Sequence, residues 1–307
     1  MAISDLSTIL QTPQVSAVMC TYGRFSCVER AVNCFLAQTY PNKFLYIYNT
    51  DVESPYIRTW LNEFQEKGIY FLNNNIDSQT KLPYTNVGAI RRDALSWARN
   101  ISGRIPVDSN LRDKVRYHFY DKSYVVTWDD DDIFLPHYMQ QAVDRMQQTG
   151  LPSFKPEKSF FYSGNNLRLV KNTLEASVVA LYKKVEEYGY LLETGKEGLG
   201  WYTKLRDNKE LDENDSYYVP SYCFNWNDGQ EMKAPHKQSG DINNPDNFEN
   251  HKKHSLDKVD GRIILIWDEK KMRETYQPYI EYFNSNSADF PPELISRYLS
   301  FCSNLND

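Results

Sequence analysis

The sequence YVVTWDDDDIFLP, residues 124–136, places four consecutive aspartates directly after a short apolar run. The run, Tyr124 to Trp128, is rich in β-branched and aromatic residues and predicts a buried strand. Open α/β sheets bind ligands at the carboxyl ends of their strands, which is where Asp129 to Asp132 would lie. Adjacent carboxylates repel one another, and a divalent cation that prefers oxygen ligands relieves the repulsion. The stretch therefore predicts a metal site at a sheet edge, with a solvated acidic turn as the alternative.

The residues after the aspartates favour a strand, an acidic turn and then a helix. An EF-hand loop is excluded because Ile133 stands where the alternating oxygen ligands should continue. Pro136 suits the beginning of a helix. The apolar residues that follow recur on one helical face: Met139, Ala142, Val143 and Met146.

Upstream of this stretch, predicted strands alternate with predicted helices. Val15 to Tyr22 predicts a first strand, and a helical apolar face extends from Val28 to Leu36. Phe44 to Tyr48 predicts a second strand, and Asn86 is suited to cap a later helix. This alternation predicts an α/β fold with a mainly parallel sheet and helices on both faces.

Beyond residue 150 the periodic signals become shorter and a long polar segment, residues 227–257, appears. Polar segments of this length are usually functional loops or disordered. No Pro/Gly/Ser-rich tether separates the two parts. We therefore expect one continuous domain, whose first half over residues 1–150 carries the predicted metal site. A smaller, mixed half would follow over residues 151–307 and end in helices.

Composition limits the class of protein. The chain has 307 residues, of which 41% are hydrophobic and 25% charged, as expected for a soluble globular protein. A net charge of −6 argues against nucleic-acid binding by the whole chain, although a local basic patch is still allowed. No run approaches the ~20 apolar residues that a membrane span needs. Five cysteines without a CxxC pair, and no visible signal peptide, predict a cytoplasmic protein.

Taken together, these residues resemble the family 2 glycosyltransferases, which have the GT-A fold. The opening strand of that family is matched by VSAVMCTYGR, residues 15–24, and its first helix and turn by AVNCFLAQTYP, residues 31–41. Its Asp-x-Asp-Asp motif is matched by Asp129 to Asp132, with Pro136 following. The matches occur in the expected order over about the first half of the chain.

The resemblance implies that residues 1–150 bind a nucleotide-sugar donor and a Mn²⁺ or Mg²⁺ ion, and that residues 151–307 bind the acceptor. The metal would be held by Asp129 and Asp131, with His236 or His251 from the late polar loop completing its ligands. The family's second strand commonly ends in Asp-Asp-Gly-Ser, whereas here Asn49-Thr50-Asp51-Val52 follows, so either Asn49 or Asp51 would contact the base. The other implied nucleotide-binding residues are Thr21, Tyr22, Arg24, Arg91, Arg92 and Asp129.

The catalytic base is the main departure from the family. Its Glu-Asp pair, in which the Asp takes the acceptor's proton, is replaced by Glu197-Gly198. Glu197 is then the candidate base, and Asp207 is an alternative.

The resulting hypothesis is a metal-dependent, inverting hexosyl- or pentosyltransferase that uses UDP-sugar or a similar donor. The acceptor would be a hydroxyl on a glycan, lipid, protein or, as in some phage enzymes, a hydroxymethylated DNA base. A nucleotidyltransferase of similar fold is an alternative, but the loop after the first strand has only one glycine, Gly23, to hold a triphosphate. The non-enzymatic alternative is a cation-dependent carbohydrate-binding module.

Overall fold

Strands and helices alternate along the first half of the chain, as the sequence predicts. The computed structural model describes residues 12–22, 25–51, 67–102, 122–163, 166–192, 198–213, 220–225 and 269–285. The strands are β1 (Val15–Thr21), β2 (Lys43–Asn49), β3 (Ile69–Asn73), β4 (Tyr124–Thr127), β5 (Ile133–Phe134), β6 (Ser153–Phe154), β7 (Lys158–Ser163), β8 (Asn166–Lys171), β9 (Val179–Leu181), β10 (Leu211–Asp212) and β11 (Tyr222–Asn225). The helices are α1 (Phe25–Leu36), α2 (Val87–Ser102), α3 (Tyr138–Thr149), α4 (Tyr182–Tyr188), α5 (Leu199–Asp207) and α6 (Glu269–Ser285), with a 3₁₀ turn at Glu175–Ser177.

Within the described residues, seven strands form a central sheet in the order β10-β6-β9-β4-β1-β2-β3. Strand β1 lies between β2 and β4 and pairs with both in parallel. Strand β9 runs antiparallel to its neighbours β4 and β6. The mainly parallel α/β sheet is therefore confirmed. It takes strands from both sides of residue 150, and the predicted division into a donor half and an acceptor half stays a prediction.

The alternation of side chains along β1, β2 and β4 gives the sheet two apolar faces. One face, which includes Ala17, Ile47 and Val126, packs against helices α1, α3 and α6. The opposite face, which includes Val18 and Val125, packs against α2, α4 and α5. Both faces are buried, as expected when helices cover both sides of a parallel sheet.

A second sheet has the order β5-β11-β7-β8 and contributes to the same core as α1, α3 and α6. Strand β5 comes directly after the aspartates and pairs with β11 in antiparallel orientation. The acidic stretch thus joins the two sheets, because β4 precedes it and β5 follows it.

Two segments differ from the sequence-based prediction. Residues 133–134 form β5, so α3 begins at Tyr138 and Pro136 precedes it by two residues. The sequence from Glu175 to Gly189 predicts a helix, whereas residues 179–181 form β9, because they pair with both β4 and β6. The predicted helix cap is confirmed, since the Asn86 side chain accepts a hydrogen bond from the Ala89 backbone amide at 2.7 Å.

Among the helices that the structure describes, none is both long and apolar enough to cross a membrane. The sequence also predicts a helix at about residues 56–67, a basic-aromatic insertion between residues 103 and 123, and a strand at residues 262–267. These segments and the polar segment 227–257 lie wholly or mostly outside the described residues.

Candidate functional site

The carboxyl ends of four parallel strands lie side by side and carry polar residues. Thr21, at the end of β1, is paired in register with Asn49, which in turn pairs with Asn73 at the end of β3. Strand β4 continues through Trp128, whose backbone amide donates to the Val18 carbonyl at 2.9 Å, and leads into the aspartates. The four predicted aspartates therefore lie where α/β sheets bind ligands.

Three of the four aspartates are bound to partners from different elements. The Asp129 carboxylate accepts from the Arg91 guanidinium of α2 at 2.9 Å. The Asp130 carboxylate accepts from the Thr21 hydroxyl at 2.7 Å, and the Asp132 carboxylate accepts from the Tyr222 hydroxyl of β11 at 2.5 Å. The acidic stretch therefore connects helix α2 and the two sheets.

The acidic turn is buried. Asp130, Asp131 and Asp132 are 0%, 2% and 1% exposed, so the alternative of a solvated acidic turn is wrong for these three residues. The Asp131 backbone carbonyl accepts from the Arg30 guanidinium of α1 at 3.0 Å. The Asp129 side chain retains 24% exposure, which makes it the aspartate of the four that is most open to a ligand.

The fit of a cation to this site can be judged from its oxygen atoms. Nowhere in the described part of the chain do three or more His, Cys, Asp or Glu side chains come together as metal ligands. A closed protein cage is therefore absent from that part. Mg²⁺ is commonly held by one or two carboxylates, with substrate phosphates and water supplying the other ligands. The Asp129 carboxylate, whose side chain is 24% exposed, offers hard oxygen atoms for a site of that shared kind, and the assignment of the buried Asp131 stays a prediction.

Asn49 and Asp51, the two candidates for base recognition, have different environments. Asn49 is 2% exposed, and its side chain donates to the Asp51 carbonyl at 2.6 Å and to the Asn73 side chain at 2.9 Å. Its side-chain oxygen accepts from the Asp51 amide at 3.1 Å. Asn49 thus braces the ends of β2 and β3, whereas Asp51 and Tyr22 are half-buried at the same edge of the sheet.

Arg91 and Arg92 are adjacent on α2 but bind different groups. Arg91 contacts Asp129, while Arg92 pairs with Asp77 at 2.6 Å and with Asp93 at 2.9 Å. Burial acts to raise the pKa of Asp93, but hydrogen bonds from Arg92 and from Ser78 outweigh it and lower that pKa. Arg92 therefore fastens the loop after β3 to α2, and Arg91 is the arginine that reaches the acidic stretch.

Tyr190 lies beside the acidic stretch, and sequence analysis did not identify it. Burial raises the pKa of Tyr190 to about 12, with the nearby Arg91 guanidinium and a hydrogen bond with the Thr127 side chain acting in the opposite direction. Its ring also contacts Trp201 of α5 edge-on, with 6.4 Å between the ring centroids. One tyrosine among 23 carries no sequence signal that would single it out.

The segment 189–192, which carries Tyr190, packs closely against glycines of two helices. A Cβ atom on Gly88 of α2 would lie 1.8 Å from the Leu191 carbonyl oxygen. A Cβ atom on Gly200 of α5 would lie 3.0 Å from the Leu191 side chain and 3.1 Å from the Gly189 carbonyl oxygen. The two glycines thus leave room for the backbone that positions Tyr190 beside Arg91 and Asp129.

Glu175, which sequence analysis did not propose as a site residue, packs against the amino end of α5. It begins the 3₁₀ turn before β9 and is half-buried. Its side chain occupies the space beside Gly198, because a Cβ atom on Gly198 would lie 2.3 Å from Cγ of Glu175 and 3.2 Å from Oε1. The only hint in the sequence was the unusual glycine at position 198.

The remaining predicted site residues, Arg24, Glu197, His236 and His251, lie outside the described residues. Their predicted roles stay predictions.

No protein-family model matches the chain, and no curated protein sequence does either. Among solved structures, it is similar to S. aureus TarS 1-349 in complex with UDP-GlcNAc, with a TM-score of 0.53 and 11% identity over 95% of this chain and 80% of that one. It is also similar to TarS 1-349 in complex with UDP, with a TM-score of 0.50 and 11% identity over 78% of this chain and 70% of that one. At this identity the likeness concerns the fold alone. The mixed α/β structure, with its seven-stranded, mostly parallel sheet, is a GT-A-type fold.

Proposed function

We propose that this protein is a metal-dependent glycosyltransferase of the family 2 type, which moves a sugar from a nucleoside diphosphate donor to a hydroxyl acceptor. The observation that carries the proposal is the acidic stretch at the carboxyl edge of a GT-A-type sheet, with the Arg91 guanidinium held against Asp129 at 2.9 Å. The likeness to a protein whose structure contains UDP-GlcNAc supports UDP-sugar as the first donor to test.

The polar edge of the sheet suggests how the donor would lie. Asp51 is better placed than Asn49 to contact the base or ribose, because Asn49 is buried and already braces two strand ends. A guanidinium has five N–H donors, so Arg91 can hold Asp129 and contact a phosphate at the same time. Thr21 and Tyr222 keep Asp130 and Asp132 oriented inside the turn.

In the proposed reaction, the acceptor oxygen bonds to the anomeric carbon while the bond from that carbon to the phosphate oxygen breaks. The nucleoside diphosphate leaves with the electron pair, and a carboxylate takes the acceptor's proton. Attack on the face opposite the leaving group would invert the anomeric carbon. A cation bound at Asp129 and Asp131, with His236 or His251 as a further ligand, would offset the negative charge on the departing diphosphate.

The test is a donor-hydrolysis screen with UDP-GlcNAc, UDP-glucose and UDP-galactose in the presence of Mn²⁺. We expect the wild type to release UDP from one of them. The turnover rate of Asp131→Ala should be at least about 100-fold lower, because mutation of residues that merely orient metal ligands already costs about 10- to 100-fold in activity. Asp144→Ala is the matched control, because Asp144 is an exposed aspartate on α3.

Three results would contradict the proposal. Equal turnover by the wild type and Asp131→Ala would reject the metal assignment. Consumption of a nucleoside triphosphate with a sugar phosphate, and no turnover of nucleotide sugars, would indicate the nucleotidyltransferase. Thermal stabilisation by Ca²⁺ and free sugar, with none by UDP and Mn²⁺, would indicate the carbohydrate-binding module.

A further inference from the structure

Glu175 and Gly198 are complementary in shape. Gly198 has φ −78° and ψ −21°, an ordinary right-handed conformation that any residue adopts. The backbone conformation at this position therefore does not require a glycine. All three atoms that a Cβ on Gly198 would approach most closely belong to the Glu175 side chain, at 2.3, 3.2 and 3.3 Å. The glycine instead leaves the space that the Glu175 carboxylate fills.

The position of Glu175 in the sheet brings this carboxylate towards the acidic stretch. Strand β9 runs antiparallel to β4, with Val179 opposite Val126. The chain before β9 therefore continues along the same edge as the chain after β4, where the aspartates follow. The 3₁₀ turn that Glu175 begins packs against β4, and its Ser177 carbonyl accepts from the Tyr138 hydroxyl at 3.0 Å.

Helix α5 provides a favourable environment for a negative charge. Gly198 is its N-cap and contributes no side-chain hydrogen bond to the free backbone amides there. The amino end of a helix carries a partial positive charge that stabilises a nearby carboxylate. The same helix contacts Tyr190 through Trp201, and Tyr190 lies near Asp129. The Glu175 carboxylate and the proposed donor site are thus connected through α5.

We propose that Glu175 is the catalytic base, taking the role that a carboxylate at position 198 would otherwise have. This inference rests on the proposed function. The acceptor hydroxyl loses its proton to the Glu175 carboxylate as its oxygen bonds to the anomeric carbon, and the electron pair of the broken bond leaves with the diphosphate. Glu175 is half-buried, so part of the residue is exposed to solvent.

The first test compares Glu175→Gln with Glu197→Gln, using the UDP-sugar that the wild type turns over fastest. General-base catalysis contributes about 10²- to 10⁴-fold, so Glu175→Gln should lose at least about 100-fold in kcat. Its KM for the donor and its Kd for UDP with Mn²⁺ should stay within about twofold, because the amide keeps the packing against Gly198. The matched control is Glu187→Gln, an exposed glutamate on α4, which should keep its kcat, whereas Glu197→Gln tests the alternative base.

The second test moves the carboxylate. Glu175→Ala removes the three atoms that lie closest to a Cβ on Gly198. A second substitution, Gly198→Asp, can then place a carboxylate in the space that the Glu175 side chain occupied. The kcat of this double variant should be at least about tenfold higher than that of Glu175→Ala, a change of about 1.4 kcal/mol in activation free energy. The control, Glu175→Ala with Gly198→Asn, has nearly the same shape without the base and should not recover.

The outcomes separate the two proposals. A wild type that turns over no nucleotide sugar overturns the proposed function and this inference with it. An active wild type with full activity in Glu175→Gln overturns this inference alone, and a loss in Glu197→Gln instead would assign the base to Glu197. If Glu175→Gln loses kcat and UDP affinity together, or the double variants with Gly198→Asp and with Gly198→Asn are equally active, Glu175 is structural.

Discussion

Replacing Gly88 by alanine is expected to destabilise the protein and to weaken nucleotide binding. Alanine is favoured over glycine in helix interiors by about 1 kcal/mol, and Gly88 is the second residue of α2. At Gly88 the added Cβ would lie 1.8 Å from the Leu191 carbonyl oxygen, 2.9 Å from its carbonyl carbon and 3.1 Å from Cα of Leu192. All three are backbone atoms, so no side-chain rotation can relieve the overlap.

The size of the effect follows from the displacement that is needed. To reach an ordinary contact of 3.4 Å, the Leu191 oxygen must move by 3.4 − 1.8 = 1.6 Å. Overpacking of this kind costs about 1–3 kcal/mol of folding free energy. The displaced segment carries Tyr190, whose hydroxyl bonds the Thr127 side chain beside Arg91 and Asp129. We therefore also expect the Kd for UDP to rise on the order of tenfold, which equals about 1.4 kcal/mol.

Urea unfolding and calorimetric titration of UDP with Mn²⁺ measure the two effects separately. An added Cβ on Gly200 would lie 3.0 and 3.3 Å from the flexible Leu191 side chain and 3.1 Å from the Gly189 carbonyl oxygen. These distances are longer than the 1.8 Å at Gly88, so Gly200→Ala should cause smaller changes in both. Gly150→Ala is the control for stability alone. Gly150 ends α3 with φ +70° and has no atom within 4 Å of an added Cβ, so alanine there adds backbone strain without touching the site.

Two results would refute this reasoning. If Gly88→Ala is as stable as the wild type or more so, the segment 189–192 is not fixed against α2. If it is destabilised but binds UDP as tightly as Gly150→Ala does, Tyr190 has no part in the nucleotide site.

Two further predictions concern buried polar groups. Tyr222→Phe removes the hydroxyl that donates to Asp132 and should lower the free energy of unfolding by about 1.5–3 kcal/mol, as measured by urea unfolding; an unchanged midpoint would contradict the assignment. Burial lowers the pKa of Lys43 from 10.5 to about 8, so between these values the unfolded chain binds a proton that the folded chain has lost. Stability should therefore rise from pH 8 towards pH 10.5 by up to about 3 kcal/mol from this group, and Lys43→Met should remove that rise. Equal pH slopes in the two proteins would show that another group is responsible.

The sequence predicted the elements whose signals are local. Strand β1, helix α1 and strand β2 have continuous apolar patterns, and each lies within about two residues of its predicted limits. The sequence also placed the aspartates after β4 at the sheet edge, because a run of four charged residues marks the end of a buried apolar strand. Such patterns depend on neighbours in the chain, which is why they can be recognised in one sequence.

The elements that were missed depend on distant residues. Strand β9 has three residues, and it is a strand because β4 and β6 lie on either side of it. Strand β5 has two residues and depends on β11, which follows it by about 90 positions. Runs this short are compatible with either helix or strand until the pairing partner is known.

The same distinction holds for the site. Charge singled out the four aspartates, and the family resemblance implied Asp129 and Asp131 together with both arginines. No local pattern shows that Arg91 rather than Arg92 reaches Asp129. That outcome depends on Asp77 and Asp93, which bind Arg92. The contact between Glu175 and Gly198 joins residues 23 positions apart across a strand and a helix. Only the fold brings such pairs together.

The charge of the site constrains what can bind there. At their formal charges the four aspartates carry −4, and among the described residues the Arg91 and Arg30 guanidiniums reduce this charge to −2. The hydroxyls of Thr21 and Tyr222 orient two carboxylates but add no positive charge. A nucleoside diphosphate, itself an anion, would be repelled by the net charge of these described residues unless a cation accompanies it. The buried acidic stretch is therefore compatible with a diphosphate ligand when a divalent ion accompanies that ligand. The proposed nucleotide binding thus depends on the proposed metal binding.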